Sequence, residues 1–235
     1  MPQDLRTGPL TFAGVVICQA QLPVAADTVD ALGTFYADWG LSGLSLPAGS
    51  GEIVFVPAAT GRPFHHFALL VPGDRFEAAR DWVSARAPLR SEAGSSETTF
   101  VFDDWDALAC YVVDPAGNIV ELIAHAELCR SGRTGRFQFS EVCAISEVGL
   151  VVDDRSAALS ELDASGISLW AGSSGPGGLS FVGSKGRTLI LVAPARGWLP
   201  TGAPAERCDA SVVVTRGGSS DVTVSVADGL LTVSS

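Results

Sequence analysis

The stretch Tyr111-Val-Val-Asp-Pro-Ala-Gly-Asn-Ile-Val-Glu-Leu-Ile-Ala-His125 decides how this chain is read. Two apolar runs, Leu108–Val113 and Ile119–Ala124, flank the pentapeptide Asp114–Asn118. Proline fixes one φ and glycine permits a positive one, so the pentapeptide predicts a tight turn and the runs a β-hairpin. With the turn centred on Ala116, Tyr111 lies directly across from Glu121 and shares its face. Glu121 then sits in the middle of an apolar strand. A carboxylate there is costly unless it is paired or bound to a metal.

Working outward, the hairpin closes a larger unit running from Phe64 to His125. It opens with an apolar strand, His66–Val71. A helix starts near Gly73–Asp74, with Phe76, Ala79, Trp82 and Val83 on one face at helical spacing, and stops at Pro88. A strand at Thr98–Phe102 precedes the hairpin. The order is β-α-β-β-β, and it recurs. An earlier copy spans roughly Leu10 to Arg62, with strand Val15–Leu22, a helix capped by Asp27 and ended by Gly40, and strands near Leu41–Leu46 and Glu52–Pro57. A later copy has strand Glu147–Val152, a helix opened by Asp153 or Asp154 and stopped at Gly166, and strands Leu179–Val182 and Thr188–Val192. Strand alternation without a helix continues through Ser211–Val214, Asp221–Val226 and Leu230–Val233, as a truncated fourth unit. Gly217-Gly218 and Asp228-Gly229 read as turns, and the loop Gly172–Gly178 lacks both the helix and the ending of a phosphate-binding loop.

Aligning the copies isolates the second. Four residues beyond the hairpin glycine stand Glu121 after Gly117, Phe55 after Gly51 and Ile190 after Gly186. The matching first-strand position holds His66 in the second copy, Gln19 in the first and Glu147 in the third.

The composition bounds the function. A chain of 235 residues, 47% hydrophobic and 17% charged, can bury a substantial core, and those proportions argue against disorder. A net charge of −11 argues against nucleic acid as a partner and leaves room for a cation. Met1–Gly8 shows no basic-then-apolar leader, and runs such as Phe67–Val71 and Thr188–Ala193 are too short to span a bilayer. Five scattered cysteines, Cys18, Cys110, Cys129, Cys143 and Cys208, predict reduced thiols and a cytoplasmic protein with no membrane partner.

At Tyr111–His125, with His66-Phe-Ala-Leu-Leu-Val71 upstream, the sequence resembles the vicinal-oxygen-chelate superfamily of glyoxalase I, extradiol dioxygenases, fosfomycin-modifying enzymes and bleomycin-binding proteins. The Asp-Pro-x-Gly-Asn-x-x-Glu pattern carries the resemblance, which covers Leu10–Glu127 well, Ile145–Thr201 more loosely and the tail hardly at all. It implies an α+β fold of repeated βαβββ modules, with curved mixed sheets around a cup. The implied organisation is a domain over residues 1–127, with units at 10–62 and 63–127, a linker over 128–140, and a third unit with a strand-only fourth over 141–235. It also implies one divalent metal (Fe, Mn, Ni or Zn) held by Gln19, His66 and Glu121. The open positions would take two neighbouring oxygens of a small-molecule substrate, and Tyr111 falls where extradiol enzymes keep an active-site tyrosine. The reaction class stays open between dioxygenase and lyase or isomerase chemistry. A rival is a metal-free protein that sequesters a cationic small molecule in the same cup. A homodimer is compatible with either.

Blander readings stand beside these. His66 alone reads as a core or surface histidine, and His65 as structural on the opposite face, with the two exchanging roles if the register slips by one. Gln19 has the alternative of bonding within its sheet, and Glu147 reads as the mark of a degenerate unit without a site. His125, near a strand end, reads as solvated. Without metal, Arg62 or Arg90 is the expected partner of Glu121, while Arg130, Arg133 and Arg136 read as a solvated face. Trp39, Trp82 and Cys110 read as core, and Trp105 as a wall or cap of the cup.

Overall fold

The computed structural model describes residues 14–175, 177–217 and 220–235. The leader reading of Met1–Gly8, the opening Leu10–Ala13 of the first unit, Pro176 in the loop Gly172–Gly178 and Gly218 of the Gly217-Gly218 turn lie outside them. The first unit contains β1 (Val15–Val24), α1 (Val29–Phe35), β2 (Ser45–Ala48) and β3 (Gly51–Pro57). The second contains β4 (His66–Leu70), α2 (Phe76–Ser84), β5 (Phe100–Phe102), β6 (Ala107–Val113) and β7 (Ile119–His125). The third contains β8 (Ala144–Val151), α3 (Arg155–Ala164), β9 (Leu169–Gly172), β10 (Ser180–Ser184) and β11 (Arg187–Val192). The tail forms β12 (Ala210–Arg216), β13 (Val222–Ala227) and β14 (Leu230–Ser234).

Local chemistry sets the helix ends. Asp154 caps α3, its carboxylate accepting the Ala157 N–H at 2.9 Å. Pro72 precedes a short 3-10 turn at Gly73–Arg75 that leads into α2, whose Phe76, Ala79 and Val83 are buried. Asp27 is no cap; it pairs with Arg62 at 2.7 Å.

The strands form two sheets, ordered β14-β13-β12-β1-β3-β2 and β5-β6-β7-β4-β8-β11-β10-β9. The second and third units therefore share one sheet, joined by antiparallel β4 and β8. The first unit joins the tail, with β1 antiparallel to β12. This corrects the expectation that the first two units make one cup. The reason lies in the strand patterns. Strands β4, β7, β8 and β11 are buried at every residue and belong together in a sheet covered on both faces, whereas β1, β12 and β13 alternate between buried and half-buried residues. The tail is an antiparallel meander, and among the described residues the first unit has one strand fewer than the second and third.

The main core includes Ile17, Leu22 and Phe55 from one sheet and Phe67, Leu122 and Leu189 from the other. The far face of the eight-stranded sheet carries a second cluster, including Ala68, Tyr111, Ile123, Phe181, Ile190 and Trp198. In β1 and β8 the pairing register slips by one residue, at Cys18 and at Ser146. A bulge of this kind re-aims the next side chain. It lets Ile145 and Val148 both reach the main core while Glu147 between them turns to the far face.

Two further expectations change. Cys129 and Cys143 form a disulfide, so the five thiols are not all reduced. It staples the 128–140 segment beside the central strand pair: the Gly73 N–H donates to the Cys129 carbonyl, and the Cys143 N–H to that of Leu70. Just beyond the segment, Glu141 makes a buried ion pair with Arg75 at 3.0 Å, and Arg75 also donates to the Gly135 carbonyl at 2.9 Å. Among the described residues, no helix is long and apolar enough to cross a membrane.

Candidate metal centre

Three strands of the eight-stranded sheet deliver one side chain each to a single point on its far face. Strand alternation puts Ile119, Glu121, Ile123 and His125 of β7 on that face, and Val120, Leu122 and Ala124 on the core side. His66 and Ala68 point the same way from β4, and Glu147 from β8 after its bulge. The hairpin register is the expected one, with Tyr111 paired to Glu121.

His66 Nε2 lies 3.4 Å from Glu121 Oε2 and 3.9 Å from Glu147 Oε2. The three residues can each turn one ligand atom into a group spanning no more than 4.8 Å. They are 4%, 2% and 4% exposed, which removes solvent as the partner of either carboxylate. Burial, and then the negative charge of Glu147, hold the Glu121 carboxyl well above its ordinary range, while a hydrogen bond from the Tyr111 hydroxyl works in the opposite direction. The Tyr111 phenol is itself pushed well up, by burial first and the two carboxylates second. Among the described residues, His66 Nδ1 and the hydroxyl of Thr188, which pairs with Glu147 across the sheet, are buried without a hydrogen-bond partner.

This donor set fits a divalent cation. With metal–ligand bonds of about 2.1 Å, adjacent ligand atoms stand roughly 3–3.5 Å apart, which the His66–Glu121 separation of 3.4 Å meets and the His66–Glu147 separation of 3.9 Å approaches. A cation would also offset the repulsion between two buried carboxylates, which after burial itself is what favours a proton on Glu121.

Of the expected site residues, the structure brings His66, Glu121 and Tyr111 together. Gln19 occupies the equivalent strand position but on the six-stranded sheet, where its amide donates to Glu52 at 2.6 Å and Ser45 bonds the same carboxylate. Glu147, expected to mark an inert unit, completes the group instead. The signal for it was present: it interrupts an apolar strand as Glu121 does. Phe55 is core, Arg62 pairs with Asp27, and the Arg90 N–H donates to the Tyr111 carbonyl, so neither arginine is shown pairing with Glu121. His65 is structural: buried, it meets the Pro23 carbonyl at 2.8 Å through Nε2, and its imidazole is pushed down to about 4 by burial. His125 is buried rather than solvated, held by the Trp105 carbonyl at 3.2 Å through Nδ1.

Aromatic rings wall this face. Trp198 lies over His66 with ring centroids 5.2 Å apart, Phe100 meets Tyr111 edge-on at 4.9 Å, and Trp105 packs against Trp170 and Phe181 at 5.3 and 4.6 Å.

No family model and no curated protein matches this sequence. Among solved structures, glyoxalase I from Zea mays is similar at TM-score 0.50 and 15% identity, over 93% of this chain and 91% of that one. A single-residue variant of the maize enzyme gives TM-score 0.52 at 14% identity, with the same coverage. The chain has the mixed, curved-sheet fold of the glyoxalase and vicinal-oxygen-chelate proteins. At these identities the likeness establishes the fold alone.

Proposed function

We propose that this chain is a metal-dependent enzyme of the vicinal-oxygen-chelate type, with a divalent ion (Fe, Mn, Ni or Zn) held by His66, Glu121 and Glu147. The observation that carries the reading is the buried meeting of two carboxylates and an imidazole at one point of the sheet. Glu147 takes the place expected of Gln19. When bound, the ion supplies Lewis-acid polarisation of two neighbouring oxygens on a small-molecule substrate.

The chain's own residues do the rest. Tyr111, kept protonated by burial and by the carboxylates beside it, presents its hydroxyl to a ligand oxygen in exchange for Glu121. Glu121 accepts that hydroxyl's hydrogen bond and is the group placed to take a proton. The aromatic walls exclude water and strengthen each of these interactions. Both units of the cup come from one chain, so a homodimer is not needed to assemble it.

The test is to incubate metal-free protein with each of the four ions, measure bound metal, and offer catechols and thiol adducts of 2-oxoaldehydes. Metal-dependent turnover lost in Glu121→Gln supports the proposal. Absence of binding with all four ions sinks it. One observation favours a second reading: the closed aromatic cup suits a metal-free protein that sequesters a cationic ligand, whose affinity would fall with salt.

A further inference from the structure

We infer that the hairpin 195–205 is a gate, and that Trp198 occupies the place over His66 that a ligand takes. This deepens the proposed function by naming how the site is reached, and rests on the cup being the ligand site. His66, Glu121, Glu147 and Trp198 are each 5% exposed or less, so nothing reaches the three candidate ligands until some part of the wall moves.

The hairpin between β11 and β12 is built to move as a body. Apart from the Arg196 N–H to Ala193 O bond at its base, its backbone bonds among the described residues close on itself: Ala195 N–H to Ala205 O, Ala205 N–H to Arg196 O, Trp198 N–H to Ala203 O, and Gly202 N–H to Trp198 O. Gly197 bridges Pro204 within the same loop. It meets the cup through side-chain packing of Trp198, Leu199, Ala203 and Ala205. Swinging it away breaks none of those four bonds, whereas displacing Tyr111 or Phe181 tears strands β6 or β10 from their sheet. Segments held by packing alone open at lower free energy than paired strands.

Trp198 is seated by a fitted gap. Gly149, two residues beyond Glu147, lies under its ring, and a Cβ at that position would stand 2.6 Å from the ring edge. The indole therefore rests over the metal-binding face, tilted 34° to the His66 ring, only because β8 carries no side chain at Gly149. A planar group of similar size entering from solvent would find the same surface once the hairpin swings out.

The experiment uses the full chain, free of metal, and reads two protections together. Amide hydrogen exchange is followed at Ala195, Trp198, Gly202 and Ala205, and at Leu189 and Leu191 of β11, which is paired on both edges. In parallel, acylation of His66 by diethyl pyrocarbonate is followed by peptide fragmentation, which separates it from His65. The gate predicts hairpin amides exchanging about 100-fold faster than those of β11, with His66 protected to the same degree as the hairpin amides. In Gly149→Ala, which lifts the ring, both protections fall together. Hairpin amides as slow as Leu189 and Leu191, or a His66 protection that follows β11, would overturn the proposal. Neither readout needs a metal, so failure of the metal centre is a separate result.

Discussion

Glu121 and Glu147 are the two register partners of a single residue, Ala68, one on each neighbouring strand. They reach toward one point because the side chain between them is a methyl group. Ala68 is fully buried, and two residues before it on the same face His66 supplies the third donor.

A larger residue at position 68 therefore separates the carboxylates. Ala68→Leu is expected to weaken divalent metal binding at least about 100-fold with all three ligands still present, at an overpacking cost of about 1–3 kcal/mol. Titration calorimetry measures the first and urea denaturation the second. Unchanged metal affinity would mean that the ion is held elsewhere.

Removing one carboxylate relieves the metal-free protein. Glu121 keeps its proton longer folded than unfolded, so its contribution to stability is present at low pH and is lost as pH rises above its ordinary value of 4.5. Glu121→Gln is expected to remove that decline and raise stability at pH 7 by about 1–2 kcal/mol. Denaturation of both proteins from pH 4 to 8 checks the slope.

His65 works in the other direction. Its pKa is lowered from 6.5 to about 4, so its contribution is complete above pH 6.5 and lost as pH falls toward 4. The whole window is worth roughly 3 kcal/mol. The slopes of His65 and Glu121 oppose each other between pH 4.5 and 6.5, so each is read as the difference between wild type and its own variant. For His65→Gln, the acid-side loss should be absent.

The Cys129–Cys143 bridge closes a loop with a sequence separation of 14. Cys143→Ser is expected to lower stability by about 3 kcal/mol, and peptide mapping without reductant should show the two cysteines linked. Free thiols at both positions in protein purified under oxidising conditions would contradict the bridge.

Local features of the fold were legible in the sequence. The Asp114–Asn118 turn set the hairpin register, and with it the meeting of Tyr111 and Glu121, because both depend on residues a few positions apart. What the repeat could not reveal was which first strands pair. Gln19, His66 and Glu147 occupy the same position in three units, and only the tertiary arrangement decides which two share a sheet. The sequence held a partial clue: Glu147 breaks an otherwise largely apolar run, Ala144–Val151, whereas Gln19 and Gln21 alternate with apolar neighbours in β1. His125 looked solvated because the residues that cover it, Trp105 and the β10–β11 turn at Gly186, are distant in sequence. The disulfide escaped for a similar reason, since its cysteines meet only once β8 has paired with β4.

The most direct test of the central claim is the stoichiometry of a bound divalent ion in wild type, Glu147→Gln and Gln19→Ala, measured by mass spectrometry after loading and desalting. A site shared by the second and third units predicts near-equimolar metal in wild type and Gln19→Ala, and little or none in Glu147→Gln. Metal retained without Glu147 but lost without Gln19 would contradict it.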